Sequence, residues 1–402
     1  MPGPAPTSLP LEGVRVLAFS QFGAGPYATM NLADLGADVI KIEDPSTAGD
    51  ISRSVPPYRG ENDSVYFQAF NRNKRSITLN LRKPESLPIL HGLVRAADVV
   101  FNNLRGGQPA KLGLTYESLG PVNPKIVCCS LNAFGSAGPH ADDPGYDYLM
   151  QALTGYMSLT GDPAGAPASC GVSVIDHAAG LAAAFGIVSA VLAASRTGLG
   201  RDVEVSLLDT AYSMLSYLAA WNLKHGHEPQ RLPGSAHQSL VPVATYQTAD
   251  GYITIFCGKQ KFWELLCETF EDPAMAADPR FATLDDRLKN REDVTASVQD
   301  HFRRNTTAHW IAKLQGKVPC APVRSLSEAL ADPELESRGT VVELDHPEFG
   351  KLRQVNTPVR INGSGRPPRR APGLGEDTRR VLREYLQYSD EAIDGLARDG
   401  VI

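Results

Sequence analysis

Three groups of residues in this 402-residue chain are of types and spacings that could do chemistry. The first is centred on Asp176, in Val174-Ile175-Asp176-His177-Ala178-Ala179-Gly180, directly ahead of an Ala-rich run. By spacing alone, a carboxylate there reads as a helix N-cap or as a nucleophile or acid/base group. A helix N-terminus favours its ionised form. The second group is Gly23-Ala24-Gly25-Pro26-Tyr27-Ala28, which fits G-x-G-x-x-A, with Glu43 standing where a ribose-binding acid is expected. Glycines there let the backbone approach a pyrophosphate, and a helix N-terminus supplies donors. A dinucleotide, another phosphate-bearing ligand and a purely structural turn all remain open. The third group is Lys74, Arg75 and Arg82, cations for a phosphate or simply a solvated face. Asp162 is a competing carboxylate, but it sits in Gly161-Asp162-Pro163, a turn in which Asp commonly bonds its own backbone.

The elements that must position these residues follow from apolar patterning. Gly13 to Ser20 predicts a buried strand, Pro26 to Leu35 a helix ended by Gly36, and Ala37 to Glu43 a second strand. That βαβ unit implies a parallel, doubly wound α/β sheet. Further strands are expected at Arg75 to Leu81, Ala97 to Phe101, Lys125 to Leu131 and Asp202 to Leu208, with a helix from Leu87 to Ala96. His177 to Ala194 predicts a buried helix, too short and too rich in small residues for a membrane span. The composition shifts at His225 to Pro242, rich in Gly, Pro, His and Gln, and marks a second domain. A hairpin around Asp250-Gly251 and a largely helical region to Leu314 follow. Short strands are expected at Gly339 to Leu344 and Leu352 to Ile361. The stretch Gly363 to Gly375 is too rich in Pro, Arg and Gly for a helix, and a helical pair ends the chain at Asp377 to Leu396.

Composition narrows the partners. The net charge of -6 argues against nucleic acid, which needs a concentrated basic surface. Six cysteines without CxxC or a zinc-spaced Cys/His array argue for no metal site and a reduced, cytoplasmic chain. Met1 to Pro10 reads as a loose tail without a signal-peptide pattern, and no run of roughly 20 apolar residues calls for a membrane.

Read together, the segments resemble the family III CoA-transferases, the CaiB/BaiF family. Ala24-Gly25-Pro26 and Leu35-Gly36-Ala37-Asp38-Val39-Ile40-Lys41-Ile42-Glu43 are similar to the family's opening. In order follow Asn71-Arg72-Asn73-Lys74-Arg75-Ser76, Asn102 to Gly107, Asn123-Pro124-Lys125-Ile126-Val127, Gly145-Tyr146-Asp147 and Leu159-Thr160-Gly161. Then come Asp176-x-x-x-Gly180, Thr197-Gly198-x-Gly200, Val318 to Val323, Asp332-Pro333, Arg338-Gly339, His346-Pro347 and Leu374-Gly375-Glu376. No single segment is specific, but the ordered series spans nearly the whole chain.

The resemblance implies a Rossmann-like large domain from residues 1–200 and 325–402, a linker helix at 201–225 and a smaller α+β domain at 226–324. It also implies an interlocked homodimer. No cofactor would be held permanently; coenzyme A would be substrate and product, with small carboxylic acids as partners and dicarboxylates such as succinate common. Asp176 takes the family's nucleophile position. Phe22, Gly23, Ala24, Leu79, Arg82, Asn103, Leu104, Arg105, Lys111, Tyr146 and Asp147 become CoA contacts, with Arg82 facing a phosphate and Asp147 near the thioester. Gly234, His237 and Gln238 become a loop shielding the intermediate. The related α-methylacyl-CoA racemases carry His in the Gly145-Tyr146-Asp147 segment; a phenol, ordinarily of pKa about 10, is a poor proton shuttle. Formyl-CoA transferase has Gln at the Gly23 position, Arg at Asp44, Phe at Leu104 and Lys at Pro144, which argues against formyl-CoA and oxalate as the pair.

Overall fold

In the computed structural model, residues 9–361 and 366–402 are described. The expected tail at 1–8 and the first residues of the 363–375 stretch lie outside them, and residues 366–373 carry no helix. Six parallel strands form one sheet: β1 (Arg15–Phe19), β2 (Asp38–Glu43), β3 (Arg75–Thr78), β4 (Val99–Asn102), β5 (Val127–Asn132) and β6 (Arg201–Ser206). Their order is β3-β2-β1-β4-β5-β6. The apolar runs are continuous because both faces are covered. Leu17, Phe19, Ile40, Ile42 and Ile77 join a core with Ile89, Leu93 and Val94 of helix Ser86–Arg95 and with Val381, Leu382 and Ile393 near the C-terminus. The other face carries α1 (Ala24–Asp34) and the long helix Val174–Thr197.

These two helices pack backbone to backbone. A Cβ at Gly180 would lie 2.8 Å from the Ala24 carbonyl oxygen, so only Gly allows the approach. The long helix has 24 residues and a mean hydropathy of 2.0, so by length and composition it could cross a bilayer, against the shorter helix expected from sequence. Only part of it is buried: Ala179, Ala183, Ile187, Ala190 and Ala194 face inward, whereas Leu181, Phe185 and Leu192 are exposed.

The chain divides into two compact units, residues 1–150, 172–214 and 333–402, and residues 151–171 and 215–332. The second unit holds the expected hairpin, β7 (Val243–Gln247) and β8 (Tyr252–Phe256), antiparallel. Residues Cys320–Pro322 add a third strand, too short and too proline-flanked to leave a pattern in the sequence. Its core gathers Tyr246, Trp263, Phe302 and Trp310. A further antiparallel pair in the first unit, Val341–His346 with Gly350–Val355, overlaps the expected strands, the second ending at Val355 and not reaching Ile361.

Candidate active site

The sheet order reverses beside β1: β2 lies on one side and β4 on the other. In open α/β sheets, ligands bind at the strand C-termini of such a switch point. A cavity of about 390 Å³ opens there, lined by Gln21 to Ala24 after β1, Asn103 to Arg105 after β4, Leu131 to Ala133 at the end of β5, Tyr146 and Asp176.

The turn from β1 into α1 is held from several directions. Asn103 brackets Gln21: its Oδ1 accepts from the Gln21 N–H at 2.9 Å and its Nδ2 donates to the Gln21 carbonyl at 2.8 Å. Asp50 Oδ1 accepts from the Phe22 N–H at 3.1 Å, and Lys41 Nζ donates to the Ser20 carbonyl. Lys41 also pairs with Asp50 at 2.8 Å, both side chains fully buried. Burial alone would raise the Asp50 pKa, but the Lys41 charge and hydrogen bonds outweigh it and hold it below its ordinary value. The clamps keep Phe22 at φ 68°, a left-handed conformation that costs a bulky residue about 1–3 kcal/mol. Strain of that kind, held by its surroundings, puts the Phe22 ring 5.6 Å from Tyr66 and 6.1 Å from Tyr146.

Glu43 is removed from ligand binding. Arg53 donates to both its oxygens at 2.9 and 2.8 Å, and the Ser76 hydroxyl adds a bond at 2.6 Å. This overturns the dinucleotide reading, which needs that carboxylate for a ribose. Lys74 and Arg75 are likewise structural. Lys74 is buried, donating to Asn71 Oδ1 and to the Pro26 carbonyl at 2.8 Å each, and Arg75 pairs with Asp38. The buried side chain of Leu79 belongs to the core under the sheet. Arg82 and Lys111 are exposed and lie outside the cavity lining. Arg105 is thus the one cation among the described lining residues, on an exposed loop.

Asp176 stands in the first turn of the long helix, three positions past its N-cap Ser173, so it is not the cap. A Cβ on Gly23 would lie 2.9 Å from Asp176 Oδ2 and 3.7 Å from the Tyr66 hydroxyl. The carboxylate therefore fills the space a side chain at Gly23 would take. Burial, and then the charge of Asp147, push the Asp176 pKa up to about 7. Sequence reasoning expected the helix terminus to favour the ionised form; desolvation and a like charge win instead. Asp147, buried, spends Oδ2 on the N–H groups of Ile175 at 2.7 Å and Asp176 at 3.1 Å. Tyr66 was missed from sequence. It lies in an ordinary short helix, Val65–Asn71, and burial followed by the charges of Asp176 and Asp50 raises its pKa to about 12. Only its place beside Gly23 reveals it.

In the second unit, the loop of Gly234, His237 and Gln238 is tied down. Arg291 donates to the His237 and Gln238 carbonyls at 2.9 and 2.7 Å. His237 Nδ1 accepts from the N–H groups of Ser239 and Leu240 at 3.1 Å each, while desolvation, then Arg291, lowers its pKa. Neutral His237 therefore carries its proton on Nε2, 3.3 Å from the Tyr217 hydroxyl. In the same unit Asp162 Oδ1 accepts from the Ala164 N–H at 2.8 Å, the self-capped turn expected.

A family model described as CoA-transferase family III matches residues 11–378. The succinyl-CoA:glutarate CoA-transferase of Mus musculus is 36% identical over 398 residues, 98% of this chain and 90% of that one. The succinate–glutarate CoA-transferase of Agrobacterium fabrum is 37% identical, over 93% of this chain and 95% of its own. The crystal structure of a CaiB/BaiF family protein from Brucella suis is similar with a TM-score of 0.81 at 34% identity, covering 94% of this chain and 100% of that one. The chain therefore belongs to CoA-transferase family III, enzymes that move CoA between acyl-CoA thioesters and carboxylic acids.

Proposed function

We propose that Asp176 carries the acyl group. Its carboxylate attacks the thioester carbonyl of the donor, the C–S bond breaks, and an acyl-aspartyl anhydride and CoA thiolate result. The thiolate then attacks Cγ of Asp176, releasing the donor's carboxylate and leaving an aspartyl-CoA thioester. The acceptor carboxylate attacks that carbon, again expelling the thiolate, and the thiolate takes the acceptor's acyl carbon. Product acyl-CoA leaves and Asp176 returns as a carboxylate. Charge and atoms balance without a redox partner.

The observation that carries this reading is the Asp176 carboxylate on the wall of the switch-point cavity, half-withdrawn from water, with a pKa near 7 set by burial and Asp147 and by no cation. Poorly solvated carboxylate loses little hydration on attack. Negative charge moves from Asp176 to sulfur as the anhydride forms, which relieves the repulsion from Asp147. Phe22, Gly23, Ala24, Asn103, Leu104, Arg105 and Tyr146 line the CoA site, with Arg105 as its phosphate partner. Dicarboxylic acids are the substrate class, on the strength of the succinyl and glutaryl relatives.

Hydroxylamine tests the mechanism. Incubated with succinyl-CoA and no acceptor, the enzyme should be inactivated and the hydroxamate should map by peptide mass to Asp176; an adduct at Asp147 or Asp162 rejects the assignment. Transfer by Asp176→Ala should fall at least about a thousandfold, as for other nucleophile deletions.

We further infer an interlocked homodimer. Leu181, Phe185, Val188 and Leu192 recur at helical spacing on the long helix and are 38–76% exposed, an apolar stripe that a second copy would cover. A solution mass equal to one chain rejects this.

A further inference from the structure

We propose that Asp147 is a positioning residue for Asp176: it caps the helix that carries the nucleophile and occupies the backbone donors that would otherwise stabilise the nucleophile's charge. The inference rests on Asp176 as the acyl carrier.

The argument begins with the four N–H groups that every helix leaves without an internal partner at its start. In the long helix the internal ladder begins with His177 N–H donating to the Ser173 carbonyl at 3.1 Å, and Val174 N–H, one of the four, turns back to the Val172 carbonyl at 2.8 Å. The N–H groups of Ile175 and Asp176 both go to Asp147 Oδ2, from 28 and 29 residues away in sequence. The N-cap residue, Ser173, makes no side-chain cap of its own. A carboxylate in a first turn ordinarily gains from such donors, because they and the helix dipole favour negative charge. Here a second carboxylate has taken them. Asp147 is 2% exposed, so this helix end and not solvent meets its Oδ2. Asp176 is left with the like charge and without the donors.

The remaining groups around Asp176 do not reverse this. Tyr66, from helix Val65–Asn71, is protonated at neutral pH, its pKa raised to about 12. His177, next on the same helix, is lowered by burial and hence neutral there. Lys41 lies behind Phe22 and is bound to Asp50 and the Ser20 carbonyl. The turn that faces the carboxylate, Gln21 to Ala24, has no charged side chain. Burial raises the nucleophile's basicity first, and Asp147 is the neighbouring charge that adds to it, while the same oxygen fixes the place of the helix end.

Asp147→Asn separates this role from mere support of the fold, because the amide oxygen can still accept both N–H bonds while the charge is gone. The readout is the pH dependence of single-turnover hydroxylamine trapping with saturating succinyl-CoA, with the adduct mapped. In the wild type the acid limb should lie near pH 7. In Asp147→Asn it should move down by about one unit, and trapping at pH 8.5 should slow about three- to tenfold because a less basic carboxylate attacks less well. An adduct at Asp176 with an unmoved limb overturns the inference and leaves the mechanism standing. A wild-type adduct elsewhere overturns the mechanism and the inference with it. An infrared difference spectrum of wild type against Asp176→Asn gives a reading independent of the folding of the Asp147 variant. A protonated Asp176 carboxyl band should persist to near pH 7; complete ionisation by about pH 5, close to an ordinary Asp, overturns the inference.

Discussion

Asp50 and Asp176 are carboxylates on two sides of the same turn, and both are withdrawn from water. Asp50 meets Lys41 at 2.8 Å and accepts the N–H groups of Phe22 and Ser52, so its charge is favoured despite complete burial. Asp176 meets Asp147 and no cation, and burial raises its pKa to about 7. The first arrangement fixes a backbone; the second keeps a side chain reactive. Burial sets the stakes in both cases, and the sign of the neighbour decides the outcome. A carboxylate whose charge is fully compensated holds a structure together and has little to gain from bond formation. One that lacks compensation loses its charge when it is acylated.

The largest effect expected from breaking this contrast is at Lys41. Lys41→Met leaves Asp50 buried without its cation, a change that costs about 3–5 kcal/mol in buried pairs. Unfolding in urea should show the loss directly. Because Asp50 also holds the Phe22 N–H, whatever folded enzyme remains should bind CoA more weakly. A loss below about 1 kcal/mol would show the pair to be dispensable.

A smaller and more local effect is expected at Gly23. Gly23→Ala puts a methyl group 2.9 Å from Asp176 Oδ2, closer than a Cβ normally approaches oxygen, and the carboxylate has to move. With Asp176 as the acyl carrier proposed above, its displacement should lower kcat by about a hundredfold, whereas KM for acyl-CoA should change little because the turn's clamps stay in place. An unchanged kcat would show that Asp176 has slack in the cavity.

The two carboxylates also differ in how far the sequence reveals them. The β1–α1–β2 unit is legible because apolar runs, Gly36 and the Gly23-x-Gly25 spacing are local signals. Asp176 is visible as an acid ahead of an Ala-rich helix, and the family resemblance selects it over Asp162. Its charge state is not legible, because Asp147 reaches it from 29 residues away and across a turn. Asp50 and Arg53 leave no trace in the sequence, for they cap and lie within one short 3-10 turn, Ile51–Ser54, without periodicity. Glu43, which local pattern marks as a ribose ligand, is claimed by Arg53 through contacts that no spacing rule contains. Local patterns give the frame and the candidate; long-range charge decides which acids are structural.

The smallest expected effect tests the contrast through stability alone. A carboxyl group whose folded-state pKa is raised binds its proton more tightly in the native state than in the unfolded one, where the ordinary Asp value of 3.8 applies. Between pH 3.8 and about 7, the native state therefore holds a proton that the unfolded chain has released, and stability falls as pH rises across this window. Asp176→Asn removes that dependence. At pH 4 the two proteins should unfold at nearly the same denaturant concentration, since the native carboxyl is neutral and so is the amide. By pH 8 the variant should be the more stable by about 2–3 kcal/mol, a value reduced for the partial exposure of the group. Asp50→Asn should behave in the opposite sense: its carboxylate is held below its ordinary pKa, so the wild type gains stability above the unfolded value and loses it only as acid reaches the lower folded one. The two variants measured side by side, by urea unfolding at several pH values, should give difference curves of opposite slope, and parallel slopes would show that Asp147 and Lys41 do not set the two charges as argued.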